Sequence, residues 1–408
     1  MKKRPNGEGS VFQRKDGRWC TELVIAYKPN GLPDRKTFYG RTQKAALKKL
    51  DDAKRALAEG RPVSVPRQTL ATFLERWLDD WCKPNLRPKT HKTYRDLVDL
   101  HIAPALGHFD LNKLSAQNVQ WFVKQLGESL VGPAPTEGQE DTRKPYSPTT
   151  VKHCRDCLRA ALNVAKDWKM IGHNPAERIK LPPRQKRKPQ VFDKLQARKF
   201  LDAIKGDRLE ALFMLTLCLG TRQGEVLGLR RNEDLDLEGK RLHIRHALQR
   251  IDGKLMLVPT KTEESQRSLR LPAFVASGLA AHLMRQDHER KEAGTSWRES
   301  GMLFTTTLGT MLDSRNMLRS YYRLIRLSGL PPIRFHDLRH SAATILHVAG
   351  VPTQAIKSLL GHASAHTTQE IYMHITPDAE DQAAEKMQEL LNPVAVTVAV
   401  KKDLRKPS

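Results

Sequence analysis

No stretch of the 408-residue chain stays apolar for the ~20 residues that a membrane-spanning helix needs. The nearest candidate, "ALFMLTLCLG" at 211–220, is too short and reads as a buried helix. The basic opening "MKKRPNGEGS" has no apolar core behind it, which argues against a secretory signal. Cysteine is sparse as well. Five residues, an odd number, argue against a disulfide framework and for a reducing compartment. Cys154 and Cys157 form a CxxC, but no second pair follows at a zinc spacing. On a helix such as "VKHCRDCLRAALNVA" they are neighbours on one face. Acidic residues are the other shortage: 45 Asp and Glu face 70 Lys and Arg, a net charge of +25. A surplus of that size calls for a polyanionic partner, nucleic acid ahead of an anionic membrane. The length implies two or three domains rather than one core.

The pattern along the chain divides accordingly. Residues 10–39 alternate as strands around an Asp16-Gly17 turn, and "TQKAALKKLDDAKRALAEG" follows as a helix ending at Gly60. This sheet-plus-helix module, taken as 1–64, is dense in charge: residues 1–61 hold 16 Lys and Arg against 7 Asp and Glu. Trp19, Phe38 and Tyr39 are expected to pack its sheet rather than stack on bases. A proline-bearing linker at 61–68 leads into a helical block, 66–182. Within it Pro88 and Pro148 sit at helix starts, Ser147 is a cap, and the Pro/Gly-rich stretch 129–146 is a loop. The basic, proline-rich 183–190 is a second linker, and it could lie against a phosphate backbone. From 191 to 390 helices enclose a strand-rich interval at 240–272, with turns at Asp252-Gly253 and near Glu263-Glu264. The end, 391–408, is a short basic tail. The fold class expected is multidomain and mainly α, with small β-sheets.

One stretch, "FHDLRHSAATILHVAGVPTQAIKSLLGHASAHTTQEIYMHI" (335–375), concentrates reactive side chains. His336 and Arg339 are three apart and project from one face of a helix, with His340 further round. His362 follows the Gly361 that ends the next helix, and Tyr372 lies ten residues beyond it. Each alone is commonly core, cap or surface. Together the types complement one another. A tyrosine with its ordinary pKa near ~10 is a poor nucleophile at neutral pH. Flanking arginine and histidine favour the phenolate and accept its proton, and guanidinium forks match two phosphate oxygens. That set suits phosphodiester transesterification. Upstream, "LCLGTRQGEVLGL" places Arg222 in an apolar setting with Glu225 beside it, and "PTKTEESQRSLRLP" puts Lys261 at a strand end.

"GTRQGE", "TKTEESQRSLRLP", "HDLRHSAAT", "LLGHAS" and "TTQEIYMHI" occur in the order seen in the tyrosine recombinases, or phage integrases, and the chain resembles that family over 191 to about 380. The N-terminal module resembles the arm-binding domain of mobile-element integrases, and 66–182 resembles their core-binding domain. The resemblance implies that Arg222, Lys261, His336, Arg339, His362 and Tyr372 form the catalytic set, with Tyr372 the nucleophile and Glu225 supporting them. It implies a 3′-phosphotyrosyl intermediate, a Holliday junction, and no requirement for ATP or metal. The partners it implies are double-stranded DNA at core and arm sites, a homotetramer on that DNA, and an excisionase and a DNA-bending protein as accessories. The setting it implies is the bacterial cytoplasm, at the nucleoid, without a membrane.

Other readings make different use of the same residues. A DNA-binding regulator without chemistry explains the charge but not the six-residue set. A metallohydrolase would use His336, His340 and His362, yet the HExxH glutamate is missing. A type IB-like topoisomerase would share the pocket and differ only in lacking strand exchange between duplexes.

Overall fold

The structure is a computed structural model, and it describes residues 10–27, 31–58, 68–132, 141–183, 189–260 and 265–361. The chain divides into two compact units, Met1–Lys186 and Arg187–Ser408. Outside the described residues lie most of both linkers, the turn near Glu263-Glu264 and everything from His362 on.

The first unit opens with an antiparallel meander of β1 (Ser10–Gln13), β2 (Trp19–Tyr27) and β3 (Pro33–Gly40), in that spatial order. Gly17, at φ +78°, supplies the left-handed residue that the first turn needs. Helix α1 (Gln43–Ala58) covers one face, with Ala46, Leu50 and Ala53 buried at helical spacing. Phe38 packs into this small core as expected. Tyr39 does not: its side chain alternates to the other face, 42 % exposed, with the Arg14 guanidinium over its ring.

The helical part of this unit is built from α2 (Leu70–Arg76), α3 (Lys83–Asn85), α4 (Pro88–Leu97), α5 (Ala103–Leu106), α6 (Ala116–Glu128) and α7 (Pro148–Asp167). Leu70, Phe73, Leu74, Trp77 and Leu78 are buried at the i, i+3, i+4, i+7, i+8 positions of one face. Two π-helical turns, Trp77–Cys82 and Val98–Ile102, interrupt the regular helices. Each runs directly into a segment whose second residue is proline, Pro84 or Pro104. Proline has no N–H, and its ring crowds the carbonyl four residues back. Widening the preceding turn, with Lys83 N donating to Leu78 O and Ala103 N to Val98 O, relieves that crowding. Ser147 caps α7 through the Thr150 N–H, with Pro148 in its first turn. Cys154 and Cys157 are both fully buried on the core face of α7, and burial pushes the Cys154 thiol up to about 12. Such thiols are packing groups. The base of the 129–146 loop is closed by Val131 N to Lys144 O and Tyr146 N to Ser129 O.

The second unit is the larger mixed domain. Its elements are α8 (Lys194–Ala203), α9 (Glu210–Leu219), α10 (Gln223–Leu227), α11 (Arg231–Asp234), β4 (Leu235–Asp236), β5 (Arg241–Ile244), β6 (His246–Ile251), β7 (Lys254–Pro259), β8 (Arg267–Arg270), α12 (Ala273–Ala293), α13 (Ser314–Ser328), α14 (Asp337–Val348) and α15 (Thr353–Leu360). Strands β4, β5 and β8 form one antiparallel sheet with β5 in the middle, and β6–β7 is a separate hairpin. Its turn is Asp252-Gly253, both at positive φ, the two-residue geometry that matches strand twist. Helix α9 is apolar on all sides and buried among the others. The Ser341 hydroxyl donates to Asp337 O and accepts from Phe192 N, tying the start of the domain to α14. The mainly α architecture with small sheets is the one the sequence implied. Among the described residues no helix is long and apolar enough to cross a membrane.

Candidate active site

Helix α9 ends at Gly220 in the left-handed conformation, φ +60°. A Cβ there would lie 2.3 Å from Leu360 Cδ2, so this position needs glycine for its backbone angle and for its neighbour. The chain then extends through Thr221 into Arg222, at the N-terminus of α10. Glu225, one turn on, caps that terminus by accepting from Arg222 N at 3.0 Å, and it also accepts from Arg222 Nη1 at 2.5 Å. Glu225 is 3 % exposed. Burial alone would raise its carboxyl pKa, but the charges of Arg267 and Arg222 and their hydrogen bonds outweigh burial and hold it below the usual carboxylate range.

Helix α14 supplies the second cluster. Arg339 is 2 % exposed and spends two donors on backbone: Nη1 to Gly220 O at 2.5 Å and Nη2 to Leu360 O at 2.7 Å. Burial, then the charge of Arg222, pushes its pKa down, yet a guanidinium starts high enough to stay charged. His336 stands exposed at the N-terminal end of the same helix. Its ring meets that of His340 edge-on, centroids 5.1 Å apart. Desolvation of the imidazole, then the charges of His340 and Arg339, lowers the His336 pKa. Neutral imidazole is the form that can accept a proton. Asp337, between them, is buried and takes a two-pronged ion pair from Arg334.

The two clusters meet at the C-terminus of α15. Arg267 Nε donates to Leu359 O at 2.8 Å, Arg339 Nη2 to Leu360 O at 2.7 Å and Arg222 Nη2 to Gly361 O at 2.9 Å. Three guanidiniums thus take three successive carbonyls that a helix end leaves without partners. They also place positive charge at the negative end of its dipole. Arg267 Nη2 completes the lattice by donating to Glu225 Oε2 at 2.9 Å. Arg267 is a residue of this lattice that sequence reading missed. Its register marks it: it shares the inward face of β8 with buried Leu269, an unusual place for a charged side chain.

The structure therefore brings Arg222, Glu225, Arg339 and His336 into one region. Lys261, His362 and Tyr372 lie outside the described residues, Lys261 just after β7 and His362 just after Gly361 in the chain. Residues 187–408 hold two other tyrosines, Tyr321 and Tyr322. Tyr321 is a core residue whose hydroxyl donates to Ile333 O, and burial pushes its pKa up. It is no nucleophile. Tyr322 is partly exposed on α13 and packs edge-on against Tyr321.

Residues 190–378 match the phage integrase family, and residues 69–127 match the phage integrase N-terminal SAM-like domain. A "Tyrosine recombinase XerC-like" protein of Caldanaerobacter subterraneus subsp. tengcongensis is 29 % identical over 388 residues, covering 90 % of this chain and 95 % of that one. Among solved structures, the Tn1549 transposon integrase in complex with a circular intermediate DNA superposes with a TM-score of 0.62 at 19 % identity, covering 78 % of this chain and 99 % of that one. A lambda integrase tetramer bound to a Holliday junction gives 0.51 at 17 % identity over 91 % of this chain and 96 % of that one. These two likenesses are of fold. Carried by its catalytic domain and by a relative aligned almost end to end, the chain belongs to the phage integrase family of tyrosine recombinases, enzymes that cut and rejoin DNA in site-specific recombination.

Proposed function

We propose that Tyr372 is the nucleophile of this integrase and that Arg222, Lys261, His336, Arg339 and His362 serve it. The Tyr372 phenolic oxygen attacks a backbone phosphorus, the bond to the 5′ oxygen breaks, and a 3′-phosphotyrosyl link remains. His336 takes the phenolic proton, and Lys261 returns one to the leaving oxygen. Arg222, Arg339 and His362 stabilise charge on the non-bridging oxygens. A 5′-hydroxyl of the partner strand then reverses the step, so bond energy is conserved and no ATP is consumed. The observation that carries this reading is the pairing of Arg222 and Arg339 on adjacent carbonyls, Gly361 and Leu360, immediately before His362 in the chain.

The finer assignments follow from that reading. Residues 1–64 bind arm sites. Residues 66–182 and 191–390 hold core DNA. Four protomers assemble on paired sites, pass through a Holliday junction, and integrate or excise a phage or similar element in a bacterial cytoplasm. An excisionase and a DNA-bending protein assist. The test is a duplex carrying a nick beside the scissile phosphate, which traps the covalent step. Wild-type protein is expected to form a protein–DNA adduct and Tyr372→Phe none, with DNA affinity nearly unchanged. Adducts of normal yield in Tyr372→Phe would move the nucleophile elsewhere, with exposed Tyr322 the next candidate.

A further inference from the structure

Arg267 stands apart from the six residues assigned to the chemistry, yet its side chain donates three hydrogen bonds beside them. Its side chain keeps 7 % of its surface exposed, and its guanidinium is taken up by protein acceptors rather than offered to a phosphate. All three of its nitrogens are used. Nε donates to Leu359 O at 2.8 Å, Nη1 to Ser265 O at 3.0 Å and Nη2 to Glu225 Oε2 at 2.9 Å. Each acceptor belongs to a different piece of the site. Ser265 ends the interval that begins with Lys261. Glu225 holds Arg222 by its backbone and its side chain. Leu359 lies in the last turn of α15, whose next two carbonyls hold Arg339 and Arg222.

We infer that Arg267 is a positioning residue, which fixes Arg222 for catalysis by sharing the Glu225 carboxylate with it. The physical case is one of competition. Glu225 is buried, and without Arg267 its Oε2 loses its side-chain donor among the described residues and keeps only the Arg222 backbone N–H. A buried carboxylate left short of partners draws the remaining donor towards itself. That donor is Arg222, whose other bonds must stay loose enough to receive a phosphate. With Arg267 in place the carboxylate is satisfied, and the Arg222 fork is held in one orientation between Glu225 Oε1 and Gly361 O. Lysine could not substitute: one ammonium has no rigid fork to reach three acceptors in three directions.

The inference rests on the proposed contact of Arg222 with the phosphate, and the experiment separates the two. Full-length protein in excess over a nicked core-site duplex gives the single-turnover rate of adduct formation, and filter binding gives Kd. Arg267→Gln is expected to slow adduct formation by ~100-fold, the scale of losing one preorganised transition-state donor, with Kd within about threefold. Arg267→Lys, which keeps the charge, is expected to slow it about tenfold and serves if the glutamine variant is poorly folded. The decisive comparison is with Glu225→Gln. If Arg267 acts through Glu225, the double variant falls no further than the worse single one, because both remove the same link. Losses that multiply, a loss confined to Kd, or wild-type rates in both Arg267 variants would overturn the inference. If Arg222→Lys also cleaves at the wild-type rate, the parent reading fails instead.

Discussion

Arg339 closes the end of a helix to which it does not belong: its Nη2 donates to the Leu360 carbonyl at 2.7 Å while Nη1 holds Gly220 O at 2.5 Å. The contrast with Arg222 is one of burial. Arg339 is 2 % exposed, whereas the Arg222 side chain keeps 35 % of its surface open. The two conservative substitutions should therefore behave differently. Arg222→Lys keeps charge but loses the planar fork, and it is expected to cut adduct formation by at least ~100-fold with stability little changed. Arg339→Lys leaves two buried carbonyls with one short-reaching ammonium. It is expected to lose the same activity and, in addition, about 2–4 kcal/mol of stability. Single-turnover cleavage and denaturant unfolding check both. Equal stability of the two variants would mean that Arg339 is not anchoring α15.

Gly220→Ala probes the same junction without touching a charge. The new methyl meets Leu360 Cδ2 at 2.3 Å, and the backbone must keep φ +60°. Both costs fall on the Arg339 anchor point. A loss of about 1–3 kcal/mol is expected, together with slower cleavage, because Gly220 O would shift away from Arg339. A thermal shift below one degree would show that the turn relaxes freely.

Some of this site could be read before any fold was known. Arg222, Glu225, His336 and Arg339 stood out because charged residues recur in otherwise apolar helical segments, which burial alone does not explain. Likewise "ALFMLTLCLG" announced a buried helix, and Asp252-Gly253 announced its hairpin. Arg267 was hidden because its partners are backbone carbonyls and a glutamate 42 residues away, and its register beside Leu269 marks it only once β8 is placed. The π turns were hidden too. Pro84 and Pro104 suggest interruption, but whether a helix breaks or widens depends on the packing around it. Tyr39 was misplaced because two adjacent aromatics in a strand must face opposite ways, and only Phe38 could go inward.

His336 offers a titration test. Its folded-state pKa lies below the ordinary histidine value of ~6.5. Between the two values the unfolded chain binds more protons than the folded one, so stability falls as pH drops through that window. At neutral pH the ring is uncharged, the form that the proposed acceptor of the Tyr372 proton must have. Histidine ring NMR on the DNA-free protein, assigned with His336→Gln, is expected to show titration below 6.5. Adding core DNA should raise the value, since a phosphate nearby favours imidazolium. No change on adding DNA would remove His336 from the phosphate's neighbourhood.

The N-terminal module gives the last prediction. Its three strands and α1 enclose their own small core of Leu23, Leu50 and Ala53, and residues 1–61 carry 16 Lys and Arg against 7 Asp and Glu. A unit with its own core and such a charge surplus should bind DNA by itself. A fragment beginning at Arg67 is expected to cleave a nicked core duplex and form the Tyr372 adduct, but to fail at integration. The fragment 1–64 is expected to bind arm DNA with an affinity that falls steeply as salt rises. The slope of log K against log salt is about −0.9 per phosphate neutralised, so the slope itself counts the contacts. Alanine in place of exposed Tyr39 should weaken binding if that ring, with Arg14 over it, lies against the DNA. Full strand exchange by the fragment from Arg67, or no binding by 1–64 at low salt, would give the module another role.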